Sequence, residues 1–391
     1  MRVLQVYKTS FPEVRGGVDV VVSNLLRHSG DGIDSLLLRT AEWTLRGVDT
    51  TAIDGIDVLA LHLPVPPARM RDFKSWMFLI ARAPRALLHL RRLLRQRAID
   101  LVHLHTLQFY QIYFVLCRWL GGPPFIITLH RAEVLGYAAC HPLLRGIWRL
   151  GLSNAAAVNA VSAWLTSTAK RTFPFLDTIH CITNGIDLPP TPPSAGAALR
   201  RDFGIPARYY VMLGTLEAYK GHDIALRAWA GLATDSALVI IGAGSARAAY
   251  ATLCRELGIA ERVYFTGQLP REQALALLSD SQAMIMPSRS EGLGLAVLEA
   301  GVVGIAVIAS DIGPFREMIA PDRTGLLFAC GDVEALRAAV RRLDADAVLR
   351  ARLASAFSAH VRSHCSFAIT ARRYAELYRA AVAGNGRTPL S

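Results

Sequence analysis

Short apolar runs alternate along this chain with longer stretches in which apolar residues recur every third or fourth position. RVLQVYK (2–8), DSLLLRT (34–40), DVLALHL (57–63), DLVHLHT (100–106) and FIITLH (125–130) predict buried strands. A second series follows: YYVMLGT (209–215), ALVIIGAG (237–244), RVYFTGQ (262–268), QAMIMPS (282–288) and IAVIAS (305–310). Buried strands alternating with helices mean βαβ units and parallel sheets covered on both faces. Between the two series, LPPTPPSAGAA (188–198) concentrates proline and small residues and predicts a linker. The pattern therefore predicts an α/β chain of two open parallel-sheet domains in tandem, with ligands beyond the carboxyl ends of the strands. The closing pattern FAITARRYAELYRAAV (367–382) is too long for a frayed tail and predicts a packed helix.

Composition narrows the class. The chain has 391 residues, 52% hydrophobic and 19% charged, which suits two or three cored domains and excludes disorder. Cys117, Cys140, Cys181, Cys254, Cys330 and Cys365 are scattered with no CxxC pair, which fits a reducing compartment better than a disulfide framework or a zinc site. The start, MRVLQVYKTSFP, lacks the apolar core of a signal peptide. No run reaches the roughly 20 apolar residues of a spanning helix. The expectation is a soluble, cytosolic protein. Its formal net charge of +12 demands an anionic partner: nucleic acid, acidic lipid or a phosphorylated substrate.

In PSRSEGLGLAVLEAG (287–301), Glu291 and Glu299 bracket a glycine-broken apolar run at a strand–helix junction. A helix opening near Gly294 leaves the amides of Gly294 and Leu295 as free donors, a seat for phosphate. Gly292 and Gly294 admit close backbone approach. Carboxylates beside such a seat repel phosphate unless each points past it at something neutral, and a carboxylate can accept two hydrogen bonds from a vicinal diol. A diphosphate between two sugars, the shape of a nucleotide sugar, fits this spacing. Taken alone, the two glutamates would more often be a solvated loop residue and an exposed helix residue.

The surrounding motifs decide between these readings. SRSEGLGLAVLEA resembles, without a gap, the signature loop and helix of the retaining GT-B glycosyltransferases of family 4. GTLEAYKGHDIALRAW (214–229) is similar to the family's G-R-L-x₃-K-G junction; Lys220 and Gly221 match, while Thr215 stands where many members carry arginine. TLH ending at His130 falls where the family places a histidine, although His89, His103 and His105 are equally available on pattern alone. Gly16 and Gly17 resemble the glycine loop after strand one, and TGQL (266–269) resembles the loop whose backbone meets the nucleobase. NAVSAWL (159–165), which holds Ser162, and CITNGID (181–187) resemble the end-of-domain segments. RVLQVYKTSFPEVRGGV further resembles bacterial mannosyl- and rhamnosyltransferases of lipid-linked polysaccharide or O-antigen assembly.

The resemblance implies a GT-B fold, two Rossmann-like doubly wound domains facing across a cleft. It implies an acceptor-binding domain at 1–187, a nucleotide-sugar-binding domain at 188–366, and a segment, 367–391, whose helix crosses back to the first domain. The implied activity is retaining transfer of a hexose, mannose or rhamnose, from a GDP-linked sugar to a polyprenyl-diphosphate-linked glycan. The implied setting is lipopolysaccharide or other cell-surface polysaccharide synthesis, peripheral on the cytoplasmic face of the inner membrane. His130, Lys220 and Glu291 are then catalytic. Gly16, Gly17, Thr215, Lys220, Gln268, Leu269, Glu291, Gly292, Leu293, Gly294, Leu295 and Glu299 bind the donor, and Ser162 lines the cleft or acceptor site. Lys220 and the amides at 294–295 stabilise the departing diphosphate, Glu291 grips donor-sugar hydroxyls and Glu299 the ribose diol. The acceptor attacks from the leaving-group face and a phosphate oxygen takes its proton. No covalent glycosyl-enzyme, cofactor or catalytic metal is expected, and domain closure excludes water.

ARMRDFKSWMFLIARAPRALLHLRRLLRQR (68–97) is strongly basic, with Asp72 its one acid and Pro84 predicted to divide it into two helices. Two readings are open. It is a membrane-surface element that meets anionic lipid through Arg69, Arg71, Lys74, Trp76, Arg91, Arg92 and Arg95, or a helix packed on the sheet with its arginines in water. Two rival functions stand beside the enzyme. VIIGAGS (239–245) suggests a nucleotide-cofactor oxidoreductase, but a dinucleotide fingerprint wants glycine where Arg247 stands. Charge alone suggests a nucleic-acid- or membrane-binding protein without catalysis; with no RNP-like stretch, zinc spacing or helix-turn-helix context, nucleic acid is not an expected partner. Within the enzyme class, a UDP-sugar donor and a soluble acceptor stay open.

Overall fold

Strands apolar on both faces satisfy their backbone only against other strands, and both series of runs do so. The computed structural model describes residues 1–8, 16–28, 32–40, 48–53, 55–66, 73–187, 196–384 and 386–388. Its first sheet comprises β1 (Arg2–Val6), β2 (Asp34–Thr40), β3 (Val48–Ile53), β4 (Ile56–Leu61), β5 (Leu101–Leu104), β6 (Phe125–Leu129), β7 (Ala157–Ala160) and β8 (His180–Cys181). The spatial order is β3-β4-β2-β1-β5-β6-β7-β8, parallel except for β3, which pairs antiparallel with β4. The second sheet comprises β9 (Tyr209–Leu213), β10 (Ala237–Ile241), β11 (Val263–Gly267), β12 (Ala283–Met286), β13 (Ala306–Ser310) and β14 (Leu326–Phe328). Its order, β11-β10-β9-β12-β13-β14, is parallel throughout and reverses direction between β9 and β12. Counted within that sheet, this is the 3-2-1-4-5-6 order of a dinucleotide-binding fold. The expected α/β class with two doubly wound sheets is the observed one.

The chain divides into two compact units. The first gathers residues 1–13, 18–183 and 370–391, and the second 14–17 and 184–369. In the first unit, residues 370–382 of the helix Phe367–Val382 lay Tyr374 and Tyr378 into a buried polar network. The Tyr378 hydroxyl meets Gln5 Nε2 at 3.3 Å and His103 Nδ1 at 2.8 Å, while Asn159 Nδ2 donates to the Tyr374 hydroxyl at 3.2 Å. Buried polar groups are costly unless paired, so this network fixes the rotation of the helix against β1, β5 and β7. In the second unit, Trp229 packs edge-on to Tyr210 of β9, both fully buried. All six cysteines are free thiols.

Two expectations need correction. Pro84 does not divide the basic segment, because Phe73–Gln96 is one helix. The ring removes one donor and frees the carbonyl four residues earlier, that of Ile80. Ile80 is 71% exposed, so water can take the place of the missing N–H. The predicted linker is also shorter than expected, since its residues 196–198 open the helix Gly196–Asp202. Gly196 seats against a neighbouring helix end; a Cβ there would stand 2.5 Å from the Ala276 carbonyl oxygen. Residues 188–195 lie outside the described residues.

Candidate functional site

Lys220 and Glu291 arrive from two sides at the point where the second sheet reverses its strand order. From β9 the chain turns at Gly221 (φ 70°) into the helix His222–Ala230, and from β12 it runs into the helix Leu295–Val303. A Cβ on Gly221 would lie 2.0 Å from the Pro287 carbonyl oxygen, so glycine lets the two loops touch. Across that contact Lys220 Nζ donates to Glu291 Oε1 at 2.7 Å, and Ser288 Oγ donates to the same oxygen at 2.8 Å. Glu291 is 6% exposed. Gly294 (φ 93°) is the N-cap of the next helix and supplies no capping side chain; the Val297 N–H donates to the Gly294 carbonyl at 2.9 Å, and the Leu295 and Ala296 amides keep their donors. Gly292 and Leu293 are buried beside it, while Leu295 and Thr215 are half-buried.

Glu299 lies in the second turn of the same helix, buried, with Arg271 Nε donating to its Oε1 at 3.1 Å. Burial pushes its carboxyl group above the usual range and Arg271 pulls it back. Each signature glutamate thus carries its own cation, which removes the net negative charge that would repel a phosphate. Arg271 was not among the expected site residues. It opens the helix Arg271–Ser279 after the TGQL loop, where Gln268 is exposed and Leu269 half-buried. A basic residue at a helix start carries no signal that it turns back toward a glutamate 28 positions on.

In the first unit, the histidines available by pattern are separated by their partners. His103 bonds Tyr378 and Thr128 through its two nitrogens, and His105 Nε2 bonds Gln5 at 2.8 Å. His130 follows β6, is 9% exposed, and its Nε2 is buried without a partner. Burial pushes its imidazole down to about 3, so it is neutral at physiological pH. Beneath it lies Glu133, which sequence reasoning did not single out. This buried carboxylate accepts the backbone N–H groups of His130 at 3.3 Å and Arg131 at 3.2 Å, and burial raises its carboxyl group. Ser162 is fully buried and caps the helix Ala163–Thr172, accepting the Leu165 N–H at 3.1 Å. Gly17 begins the helix Gly17–Arg27, with Gly16 just before it.

The basic segment splits by half. Ala86, Leu90, Leu93 and Leu94 are buried at helical spacing, with Arg92 and Arg95 exposed opposite and Arg91 donating to the Leu120 carbonyl at 2.9 Å. That half is a packed helix with arginines toward solvent. In the earlier half Met77 and Ile80 are 57% and 71% exposed. Arg69 and Arg71 lie outside the described residues, as do the side chains of Lys74 and Trp76.

In the VIIGAGS fragment the glycines serve backbone packing. A Cβ on Gly242 would stand 1.9 Å from the Gly214 carbonyl, and one on Gly244 would stand 2.5 Å from the Leu216 carbonyl. These glycines bring the β9 and β10 loops together, and Arg247 opens the following helix with its guanidinium 3.9 Å from the centre of the Phe265 ring.

Two family models match this chain. Glycosyltransferase Family 4 matches residues 15–189, and Glycosyl transferases group 1 matches residues 198–358. The D-rhamnosyltransferase WbpZ of Pseudomonas aeruginosa is 30% identical over 356 residues, covering 88% of this chain and 86% of that protein. The GDP-mannose-dependent alpha-(1-6)-phosphatidylinositol monomannoside mannosyltransferase of Mycolicibacterium smegmatis is 27% identical over 349 residues, 86% of this chain and 87% of that one. Among solved structures, Anabaena Alr3699/HepE in complex with UDP-glucose matches with a TM-score of 0.80 at 19% identity, over 97% of this chain and 100% of that one.

Proposed function

This chain belongs to glycosyltransferase family 4 and has the GT-B fold, and from that premise we propose a retaining hexosyltransferase. It moves mannose or rhamnose from a GDP-linked donor to a lipid-linked glycan in cell-surface polysaccharide synthesis. The observation that carries the reading is the Lys220–Glu291 pair beside an uncapped helix N-terminus, at the strand-order reversal where such sheets bind nucleotides. The choice of sugar and base is supported by two relatives, a rhamnosyltransferase and a GDP-mannose-dependent mannosyltransferase.

In this mechanism Lys220 and the first-turn amides of the helix Leu295–Val303 take up the negative charge that grows on the departing diphosphate. Glu291 orients the donor sugar and Glu299 the ribose, each by accepting hydroxyl hydrogen bonds. The acceptor oxygen bonds to the anomeric carbon as the carbon–oxygen bond to the diphosphate breaks, on the same face, and the acceptor proton passes to a diphosphate oxygen. Glu291 Oε1 is already bonded by Lys220 and Ser288, which makes it a poor nucleophile and favours this route over a covalent glycosyl-enzyme. No catalytic metal is part of the scheme. The enzyme works peripherally at the cytoplasmic face of a membrane.

The test is thermal unfolding with GDP, UDP, ADP and their sugars. A ligand at about 100 times its Kd stabilises by about 2.7 kcal/mol, so GDP and GDP-mannose or GDP-rhamnose are expected to raise Tm. A rise with uridine nucleotides only moves the donor to a UDP-sugar. No rise with any nucleotide overturns the reading. Proton NMR of the product is expected to show the donor's anomeric configuration, and an inverted product or a sugar trapped on Glu291 rejects the mechanism.

A further inference from the structure

We propose that Arg271 selects the nucleobase of the donor, presenting its guanidinium to the guanine edge that carries O6 and N7. The inference rests on the reading that Glu299 holds the ribose of a nucleotide donor. Arg271 is tethered to that glutamate through Nε at 3.1 Å, so it belongs beside whatever the glutamate binds. Its Nη2 is buried and finds no acceptor in the protein, while the side chain as a whole is 33% exposed. A guanidinium has five N–H donors in a rigid fork, and Glu299 accepts only one of them here. Arg271 also stands directly after the turn that ends β11, in the order Gly267, Gln268, Leu269, Pro270. A base attached to a ribose at Glu299 and reaching that turn passes the guanidinium.

The chemistry then discriminates. Two parallel N–H donors match two in-plane acceptors, and guanine offers O6 and N7 side by side. Adenine places an N6 amino donor beside N7, which faces donor with donor. Uracil has only O4 on the corresponding edge. The remaining role for Arg271 is to neutralise Glu299, and that role is blind to the base.

Calorimetric titration of GDP, UDP and ADP into full-length wild-type protein, R271M and R271K separates the two roles. R271M is expected to weaken GDP about 10- to 100-fold, the discrimination of one bidentate pair, and UDP and ADP less than about threefold. R271K keeps a cation for Glu299 but not the fork, so it is expected to lose the same preference; it also carries the test if R271M does not fold. Equal weakening of all three nucleotides, no weakening, or a wild-type preference for UDP or ADP overturns the inference. Wild-type protein that binds none of the three overturns the proposed function itself, whereas binding with an unchanged base preference in both variants overturns only the role of Arg271.

Discussion

Lys220 and Glu291 hold each other at 2.7 Å with 15% and 7% of their side chains exposed. Glu291→Gln keeps the shape and leaves an acceptor for Lys220 and Ser288, so Tm is expected to change little while kcat falls about 100-fold, as for loss of one charge-stabilising group. Wild-type turnover in that variant would reject Glu291 as a donor-sugar ligand. His130 makes a separate prediction. Above pH 6.5 its imidazole is neutral in both folded and unfolded chains. Between about 6.5 and 3 the unfolded chain takes a proton that the buried ring refuses, so stability is lost as pH falls through that window. The expected slope is about 1.4 kcal/mol per pH unit. His130→Gln removes this proton uptake, and urea unfolding at about pH 6 and pH 4 should show a shallower pH dependence than wild type. Parallel dependences in the two proteins would show that the ring is not held neutral.

Among the elements, the helix Phe73–Gln96 keeps a proline that its position does not need. Pro84 is exposed and its loss of a backbone donor is left to solvent, so Pro84→Ala restores one hydrogen bond and removes the ring clash. The expected gain is up to about 3 kcal/mol, read as a higher urea midpoint for the first unit; an unchanged or lower midpoint would reject it. The strand runs were legible in sequence to within a few residues because both-face burial leaves an unbroken apolar signature. β3, VDTTAI, was not legible, since an edge strand whose residues 49–52 are all exposed carries polar residues. Its signal lay in the Asp54–Gly55 dipeptide, a hairpin turn sequence, and the register indeed pairs Ile53 with Ile56. β8 and β14 hold two and three residues, too few to display a period.

For the whole molecule, the net charge of +12 and the exposed Met77 and Ile80 bear on the proposed membrane encounter. Among the described residues no helix is long and apolar enough to cross a membrane. Co-sedimentation with vesicles containing anionic lipid is expected, at roughly 1 kcal/mol per basic residue near the surface. It should weaken sharply near 1 M salt, where the Debye length is about 3 Å. The double variant Met77→Ser/Ile80→Ser should reduce it further. Equal binding to neutral and anionic vesicles, or no effect of the double substitution, would remove the membrane claim.

Amino-acid order by itself determined the α/β class, the two series of strands, and the residues that resemble the family-4 signature, because burial periodicity and glycine-dependent turns are local properties written in neighbouring residues. Only the tertiary structure decided which charges meet. The pairing of Glu291 with Lys220 joins residues 71 positions apart, and that of Glu299 with Arg271 joins residues 28 apart. Such pairings depend on strand order and helix packing, which no local pattern encodes. For His130, singled out in sequence only by the family resemblance, folding adds a buried Nε2 without a partner, while both ring nitrogens of His103 and one of His105 are bonded.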